Sequence, residues 1–177
     1  MRIGENYDDE VTVLYRKWAG KVQGFLLNMG CDHGLAEEIT NDAFKGAWLR
    51  WPHVRTLDQP EGYVFMIARN ERSRRQRKHD HRAKDLHPDP GETLRGHLDD
   101  PGQDAVDRAV VRQALQQLPP RPREAVLLRD VVGLTEAATA EAIGVSKGSV
   151  KRYTSEGRQR LRLLLQEFRY QQGGNDR

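Results

Sequence analysis

Residues 134–152 read LTEAATAEAIGVSKGSVKR, the pattern of two short helices joined by a tight turn. Thr135 can cap the first helix, and Gly144 can adopt the left-handed backbone conformation that other residues reach only at a cost. Ser146 can then cap the second helix by accepting a hydrogen bond from a free backbone N–H in its first turn. The pattern therefore predicts a helix-turn-helix, whose second helix would enter the major groove of DNA.

The second of these helices is rich in hydrogen-bond donors. Residues 147–162 hold six lysine and arginine residues, and Glu156 is the only acid among them. Long cationic side chains suit guanine edges or phosphate oxygens, and hydroxyl groups suit phosphates. The residues predicted to contact DNA here are Ser149, Lys151, Arg152, Ser155 and Arg158.

A second basic cluster lies earlier in the chain, where residues 69–84 hold eight lysine and arginine residues. Such clusters attract phosphate backbones and release their counterions. One cluster alone is often only a solvated helix face, but two clusters, each at the end of its own helical block, favour a nucleic-acid partner. The candidate residues of this earlier cluster are Arg69, Asn70, Arg74, Arg75, Arg77 and Lys78.

Apolar residues recur at helical spacing on both sides of the chain's midpoint. The first block predicts helices over about 11–29 and 35–49 and a third from about residue 61, with Trp48 in the inward register of the second helix. Trp51-Pro52 should end that second helix, because proline disfavours helical backbone in the residue before it. A loop to Pro60 is expected to follow.

The second block predicts two helices ahead of the helix-turn-helix, over residues 106–118 and 123–132. Their inward positions should form part of the core, and in the second helix these are Val126, Leu127 and Val131.

A connector rich in proline, glycine and acidic residues separates the two blocks. Neither a helix nor a central strand is expected there, because proline lacks an N–H donor and glycine lacks a Cβ. The sequence thus predicts an all-α chain of two small helical domains, each with its own core, joined by a flexible linker. The expected bounds are 8–86 for the first domain, 87–104 for the linker and 105–170 for the second domain.

Composition excludes several other classes of protein. The chain has 177 residues with 29 Lys+Arg against 26 Asp+Glu, and no apolar run approaches the roughly 20 residues that span a bilayer. Its acidic start lacks the apolar segment of a secretion signal, so we expect a cytoplasmic protein. Cys31 is the only cysteine, which excludes an internal disulfide and a multi-cysteine zinc site.

An enzyme is not expected either. No nucleophile elbow, phosphate-binding loop or zinc-protease pattern is present. His79-Asp80-His81 could suggest a metal site, but it lies in a highly charged segment without a rigid scaffold. We therefore expect no metal, no cofactor and no small-molecule substrate.

Three segments together resemble a known family. They are AEEITNDAFKGAW at 36–48, YVFMIARN at 63–70 and LPPRPREAV at 118–126, the last followed by the helix-turn-helix. In this order and spacing they resemble the extracytoplasmic-function (ECF) group of the sigma-70 family, the sigma factors of bacterial RNA polymerase that keep only conserved regions 2 and 4.

The resemblance implies that the protein joins core RNA polymerase and takes it to promoter DNA. The second basic helix would bind the −35 element, and the earlier basic cluster, with Asn70 as a base-reading amide, would bind the −10 element. The β′ clamp and β flap of the polymerase would be the docking surfaces, and an anti-sigma factor would be a further partner, which could also hold the protein at the membrane. The residues that would dock on the β′ clamp are Glu37, Glu38, Asn41, Asp42 and Phe44.

The helix-turn-helix differs from the sequence usual in the family at positions that affect promoter recognition. Thr139 stands where isoleucine is usual, and Glu156 stands where a basic residue is common. Tyr153 and Thr154 replace a common arginine and leucine. Because of these differences, the recognition helix does not predict which promoter sequence is bound. An alternative function also stays open at this point, namely a helix-turn-helix regulator that binds DNA without polymerase.

Overall fold

The computed structural model describes the backbone of residues 5–85 and 103–173 and the side chains of residues 7–78 and 108–168. Within these residues every regular element is a helix. The prediction of an all-α fold with two helical lobes is confirmed. The predicted linker, residues 87–104, lies almost entirely outside the described residues, and the predicted domain bounds remain predictions.

The first lobe consists of four helices. They are α1 (Glu5–Asn28), α2 (His33–Leu49), α3 (Trp51–Val54) and α4 (Pro60–Asp85). The turn between α1 and α2 depends on two residues: Gly30 has a positive φ of 92°, and the Asp32 carboxylate caps α2 by accepting from the Leu35 N–H at 2.7 Å. Both are local devices that a sequence can encode within a few residues.

Aromatic packing fixes α4 against α1. The ring of Phe65 meets the rings of Trp18 and Phe25 edge-on, at centroid distances of 6.2 Å and 5.6 Å. Phe65 and Phe25 are almost fully buried, and α2 closes the core from the other side with Ile39 and Ala43. This core holds the basic end of α4 and the acidic face of α2 in fixed positions.

The two tryptophans near the end of α2 lie in different environments, and Trp48 differs from its prediction. Trp48, predicted to be in the core, is 47% exposed and donates to the Asp8 carboxylate at 2.8 Å. Trp51 is buried and donates to the Glu10 carboxylate at 2.6 Å. The expected loop begins instead with the short helix α3, since Pro52 is tolerated in a first helical turn, where its missing N–H has no partner to lose.

The second lobe contains the remaining helices. They are α5 (Gln103–Gln116), α6 (Pro120–Val126), a π-helical segment (Leu127–Val132) that continues α6, α7 (Glu136–Ile143) and α8 (Lys147–Gly173). The π-helical segment corrects one predicted core position. Val131 is 60% exposed, whereas Val132 is buried. A π-helix places residue i+5, not i+4, above residue i, so Val132 takes the inward place above Leu127.

The predicted helix-turn-helix is confirmed in detail. The Thr135 hydroxyl accepts from the Ala138 N–H at 3.2 Å, and Gly144 adopts the left-handed conformation with φ 67°. The Ser146 hydroxyl accepts from the Ser149 N–H at 3.1 Å and so caps α8. Each cap satisfies a backbone donor that the helix itself leaves free.

Two threonines of the first and second lobes provide a matched stability test. Thr139 is fully buried and its hydroxyl has no partner among the described residues, whereas the buried Thr40 hydroxyl donates to the Ala36 carbonyl at 2.7 Å. We expect Thr139→Val to raise the free energy of unfolding by about 1 kcal/mol, because it removes an unpaired buried hydroxyl without changing the shape. Thr40→Val should give no gain. Urea denaturation of both variants measures the difference, and equal effects would contradict the explanation.

The two lobes are in contact, which differs from the expected pair of separate cores. Helix α4 packs along α7, and α1 packs against the π-helical segment and α5. The buried apolar side chains form one continuous cluster through both lobes. Basic residues of α8 nevertheless remain exposed, so the contact does not cover both predicted DNA surfaces.

Candidate nucleic-acid interface

Helix α8 presents most of its predicted DNA-contacting residues to solvent. Lys151 is 68% exposed, and its ammonium lies 3.8 Å from the Glu136 carboxylate. Arg152 is exposed, with its guanidinium stacked 4.9 Å from the centre of the Tyr153 ring, and Ser155 is exposed beside them. Ser149 is half-buried and lies 3.0 Å from the Ser146 hydroxyl, which fixes it at the start of the helix. This surface can offer several donors to one DNA groove.

A groove of about 520 Å³ runs beside these residues, between α8, α7 and the π-helical segment. Its lining includes three arginines, and its floor includes the buried Thr154, whose hydroxyl has no partner among the described residues. Arg129 and Arg162 were absent from the prediction. Arg162 could have been inferred, because it lies four residues after Arg158 on the same helix. Arg129 comes from another element, and only the fold brings it here.

Arg158 is not free in this structure. Its guanidinium makes two hydrogen bonds to the Asp130 carboxylate, at 2.8 Å and 2.5 Å. These bonds raise the pKa of Arg158, so the guanidinium is held charged but already paired. A phosphate would have to compete with Asp130 for the same donors.

We therefore expect Asp130→Asn to strengthen DNA binding. Release of Arg158 should lower the dissociation constant for a fluorescein-labelled duplex about threefold. The slope of log Kd against log salt concentration should become steeper by about one, because one more counterion is released. Anisotropy titrations at several salt concentrations measure both quantities. The same substitution in an Arg158→Ala background should have no effect. An equal gain in that background would show that the lost negative charge acts without Arg158.

The predicted DNA residues of α4 fall into two groups. Asn70, Arg77 and Lys78 are exposed, and Arg74 is exposed while bonded to Glu71 at 2.8 Å. Arg69, in contrast, turns toward the second lobe. Its guanidinium donates to the Glu124 carboxylate at 2.8 Å, and the carboxylate is nearly fully buried.

Arg75 connects the basic helix to the acidic face of α2. Its guanidinium donates to the Glu38 carboxylate at 2.5 Å and to the Asp42 carboxylate at 2.6 Å. The hydrogen bond to Glu38, supported by that to Asp42, raises the pKa of Arg75. The sequence places Arg75 with the DNA-contacting residues, whereas the structure places it underneath the predicted docking face.

The predicted docking face itself is largely open to solvent. Glu37, Glu38, Asn41 and Asp42 are all exposed on one side of α2. The Asn41 side-chain oxygen accepts a hydrogen bond from the Tyr15 hydroxyl at 3.2 Å. The face thus offers carboxylate groups beside an aromatic residue, which suits a basic protein partner.

Phe44 does not take the place that the prediction gave it. It was predicted to dock on the β′ clamp with the acidic residues of this face, but it is only 3% exposed and packs edge-on against the Tyr15 ring at 4.8 Å. Residue 44 lies on the inward side of α2 with Ile39 and Ala43, so helical periodicity already favours burial. Tyr15 is exposed beside this face, whereas Phe44 is not.

The described side chains contain no cluster of three or more histidine, cysteine or acidic residues that could hold a metal ion. His79 and His81 lie outside those side chains. Across residues 5–85 and 103–173, every helix is too short or too polar to cross a membrane.

Two family models match this chain. The model described as Sigma-70 region 2 matches residues 14–82, and the model described as Sigma-70, region 4 matches residues 108–161. The first range covers the acidic face of α2 and the basic part of α4, and the second covers the helix-turn-helix.

Curated relatives and solved structures agree with these matches. The chain is 26% identical to the ECF RNA polymerase sigma factor SigM of Bacillus subtilis, over 92% of this chain and 96% of the relative. It is 29% identical to the ECF RNA polymerase sigma factor RpoE of Cereibacter sphaeroides, over 96% and 91%. Its fold is similar to that of the sigma factor RpoE from Bartonella quintana, solved in complex with the anti-sigma factor NepR, with a TM-score of 0.73 at 23% identity over 92% of this chain and 98% of that one. The region 2 match precedes the region 4 match, and the ECF relatives cover almost the whole chain. The chain therefore belongs to the ECF group of the sigma-70 family of RNA polymerase sigma factors.

Proposed function

We propose that this sigma factor binds core RNA polymerase through α2 and reads promoter DNA through α4 and α8. The observation that carries the proposal is the presence in one chain of an exposed acidic helix face and an exposed basic recognition helix. A DNA-binding protein that acts alone has no need of the acidic face.

Helix α8 would read the −35 element. Lys151 and Arg152 are exposed near its N-terminal end, where a recognition helix meets base edges. Ser149 and Ser155 would contact phosphates and fix the register, because hydroxyls bind phosphate oxygens but carry little sequence information. Arg158 would join them once it leaves Asp130.

Helix α4 and the segment before it would bind the −10 element. Asn70 is exposed and can offer an amide to the edge of an unstacked base. Arg74, Arg77 and Lys78 surround it as phosphate contacts. Arg69 could take part only after it leaves Glu124.

The partners follow from these surfaces. The exposed carboxylates of Glu37, Glu38 and Asp42 would dock on the β′ clamp, and the second lobe would contact the β flap. An anti-sigma factor is a further proposed partner, because the sigma factor RpoE from Bartonella quintana, whose fold is similar, was solved in complex with the anti-sigma factor NepR. The protein would act in the cytoplasm, where polymerase and promoters are, and would have no enzymatic activity of its own.

Reconstituted run-off transcription tests the proposal. Core RNA polymerase is incubated with genomic fragments, with and without the protein, and we expect discrete transcripts only when the protein is present. A fragment that gives such a product also supplies the promoter. Absence of any protein-dependent transcript from a full fragment library would overturn the proposal.

A gel-shift experiment separates the proposal from the alternative of an independent regulator. On the promoter fragment, we expect a specific complex only when core polymerase accompanies the protein. Tight and specific binding by the protein alone, together with failure to join the polymerase, would favour the regulator.

A further inference from the structure

Glu156 is the only acidic residue in the basic first half of α8. Its side chain is exposed, and it lies one turn after Arg152 on the same side of the helix. The opposite side of α8 packs on the lobe through Val150, Thr154 and Gly157, which are all buried. The side that carries Arg152 and Glu156 therefore faces away from the protein, where a recognition helix meets DNA.

Neighbouring arginines do not neutralise this carboxylate. A helix places Arg152 and Arg160 next to Glu156, four residues to either side. The Arg152 guanidinium instead stacks 4.9 Å from the centre of the Tyr153 ring, and Arg160 is exposed. Among the described side chains, the Glu156 carboxylate forms no ion pair, since the ion pairs of α8 join other residues. It is thus free to accept hydrogen bonds from a partner.

The cationic groove lies beside this side of α8 and does not include Glu156. From α8 its lining takes Lys151, Arg158 and Arg162, but neither Arg152 nor Glu156. Phosphates bound along the groove would therefore leave the last two side chains to face base edges. The basic surface thus divides into a side that suits phosphates and a side that suits bases.

A free carboxylate is unfavourable on a surface that approaches DNA, because the phosphates repel it. It becomes favourable only where it meets hydrogen-bond donors. In the major groove these donors are the amino groups of cytosine and adenine. Adenine places its N7 acceptor beside the amino group, and guanine offers two acceptors, whereas cytosine offers only its N4 amino group. A carboxylate therefore fits cytosine best and rejects guanine.

We propose that Glu156 selects a cytosine in the −35 element by accepting a hydrogen bond from its N4 amino group in the major groove. The inference rests on the proposed function, because it requires α8 in that groove. Arg152 would read a guanine, since stacking on Tyr153 leaves the N–H edge of its guanidinium free to donate. One helical turn rises about 5.4 Å and one base pair about 3.4 Å, so the two bases should lie about one or two steps apart.

Selection from a randomised promoter tests this assignment. The −35 segment of the fragment that gives the run-off product is randomised, and the DNA retained by core polymerase with the protein is sequenced. With the native protein, we expect one position to favour cytosine over guanine at least about tenfold. With Glu156→Gln, the ratio of cytosine to adenine should fall at least about tenfold at that position and at no other. The reason is that a glutamine amide both accepts from adenine N6 and donates to adenine N7.

Two further variants serve as controls. Glu156→Ala removes the acceptor, so the same position should lose its preference for cytosine without a gain in adenine. Glu167→Gln removes an equal charge about three turns further along α8 and should leave every preference unchanged. Both Glu156 variants should fold normally, because the residue is exposed and alanine and glutamine favour helix.

The outcomes separate this inference from the proposed function. An unchanged base pattern with Glu156→Gln would overturn the inference, even if all fragments were retained more tightly, because the carboxylate would then act only as a charge. A change confined to a position where the native protein favours another base would overturn it as well. Absence of any polymerase complex or transcript with the native protein would instead refute the proposed function.

Discussion

Replacement of Gly157 by alanine should lower the free energy of unfolding by about 2 kcal/mol, because the site has no room for a methyl group. Gly157 is buried where α8 crosses α6, and a Cβ there would lie 2.5 Å from Val126 Cγ2 and 2.9 Å from the Pro122 carbonyl oxygen. A side chain can rotate away, but a backbone oxygen cannot, so the two helices must separate. Alanine favours helix over glycine by about 1 kcal/mol, which offsets only part of this loss.

The control for this variant is the same substitution at an open position. Gly20 also lies inside a helix, and a Cβ there would meet nothing within 4 Å. Gly20→Ala should therefore stabilise the protein by up to about 1 kcal/mol. Urea denaturation followed by far-ultraviolet circular dichroism measures both variants. A Gly157→Ala protein as stable as Gly20→Ala would show that the α6–α8 crossing can adjust freely.

The functional result of Gly157→Ala should be confined to the second lobe. Helix α8 carries Lys151 and Arg152, so its displacement should abolish promoter-specific transcription at temperatures near the new melting transition. The acidic face of α2 lies on the other lobe, and the variant should still bind core polymerase. Loss of both activities together would indicate that the lobes unfold as one unit.

The parts of this fold that sequence could predict are those encoded within a few residues. Thr135, Gly144 and Ser146 each act on backbone groups no more than four positions away, and the helix-turn-helix follows from them. The acidic face of α2 and the basic character of α4 and α8 follow in the same way from helical periodicity.

The parts that sequence could not predict depend on distant residues. The ion pair of Arg69 with Glu124 joins residues 55 positions apart, and no local pattern announces it. The exposed position of Trp48 depends on Asp8, which lies 40 positions away. The prediction that Val131 lies in the core was wrong for a local reason, because one π-helical turn moves the inward position from residue 131 to residue 132. Each difference alters which side chains are available to a partner, while the order of helices stays as predicted.

Arg75 shows how such a distant contact changes the interpretation of a site. The same carboxylates that would attract the polymerase, Glu38 and Asp42, are already bonded to Arg75. Two explanations of the acidic face therefore compete. Either the carboxylates serve the polymerase and Arg75 only orients them, or they exist to hold α2 against α4.

Charge reversal at Asp42 should weaken binding to core polymerase by at least about tenfold, because a cation would then face both Arg75 and the basic partner. Asp42 is about half exposed, so loss of its ion pair should change the free energy of unfolding by less than about 1 kcal/mol. Anisotropy of the labelled protein, titrated with core polymerase, measures the affinity. Asp9→Lys reverses another exposed carboxylate, on α1, and should leave the affinity unchanged.

Arg75→Gln decides between the two explanations of the acidic face. It breaks the ion pair with Asp42 that Asp42→Lys also breaks, and the one with Glu38 as well, but it leaves the carboxylates of Glu38 and Asp42 in place and free. If those carboxylates serve the polymerase, Arg75→Gln should bind core polymerase as tightly as the native protein or more tightly, while Asp42→Lys fails. If they only hold α2 against α4, both variants should lose affinity and stability to a similar degree. The opposite responses of two variants that remove one and the same contact would therefore assign the acidic face to the polymerase.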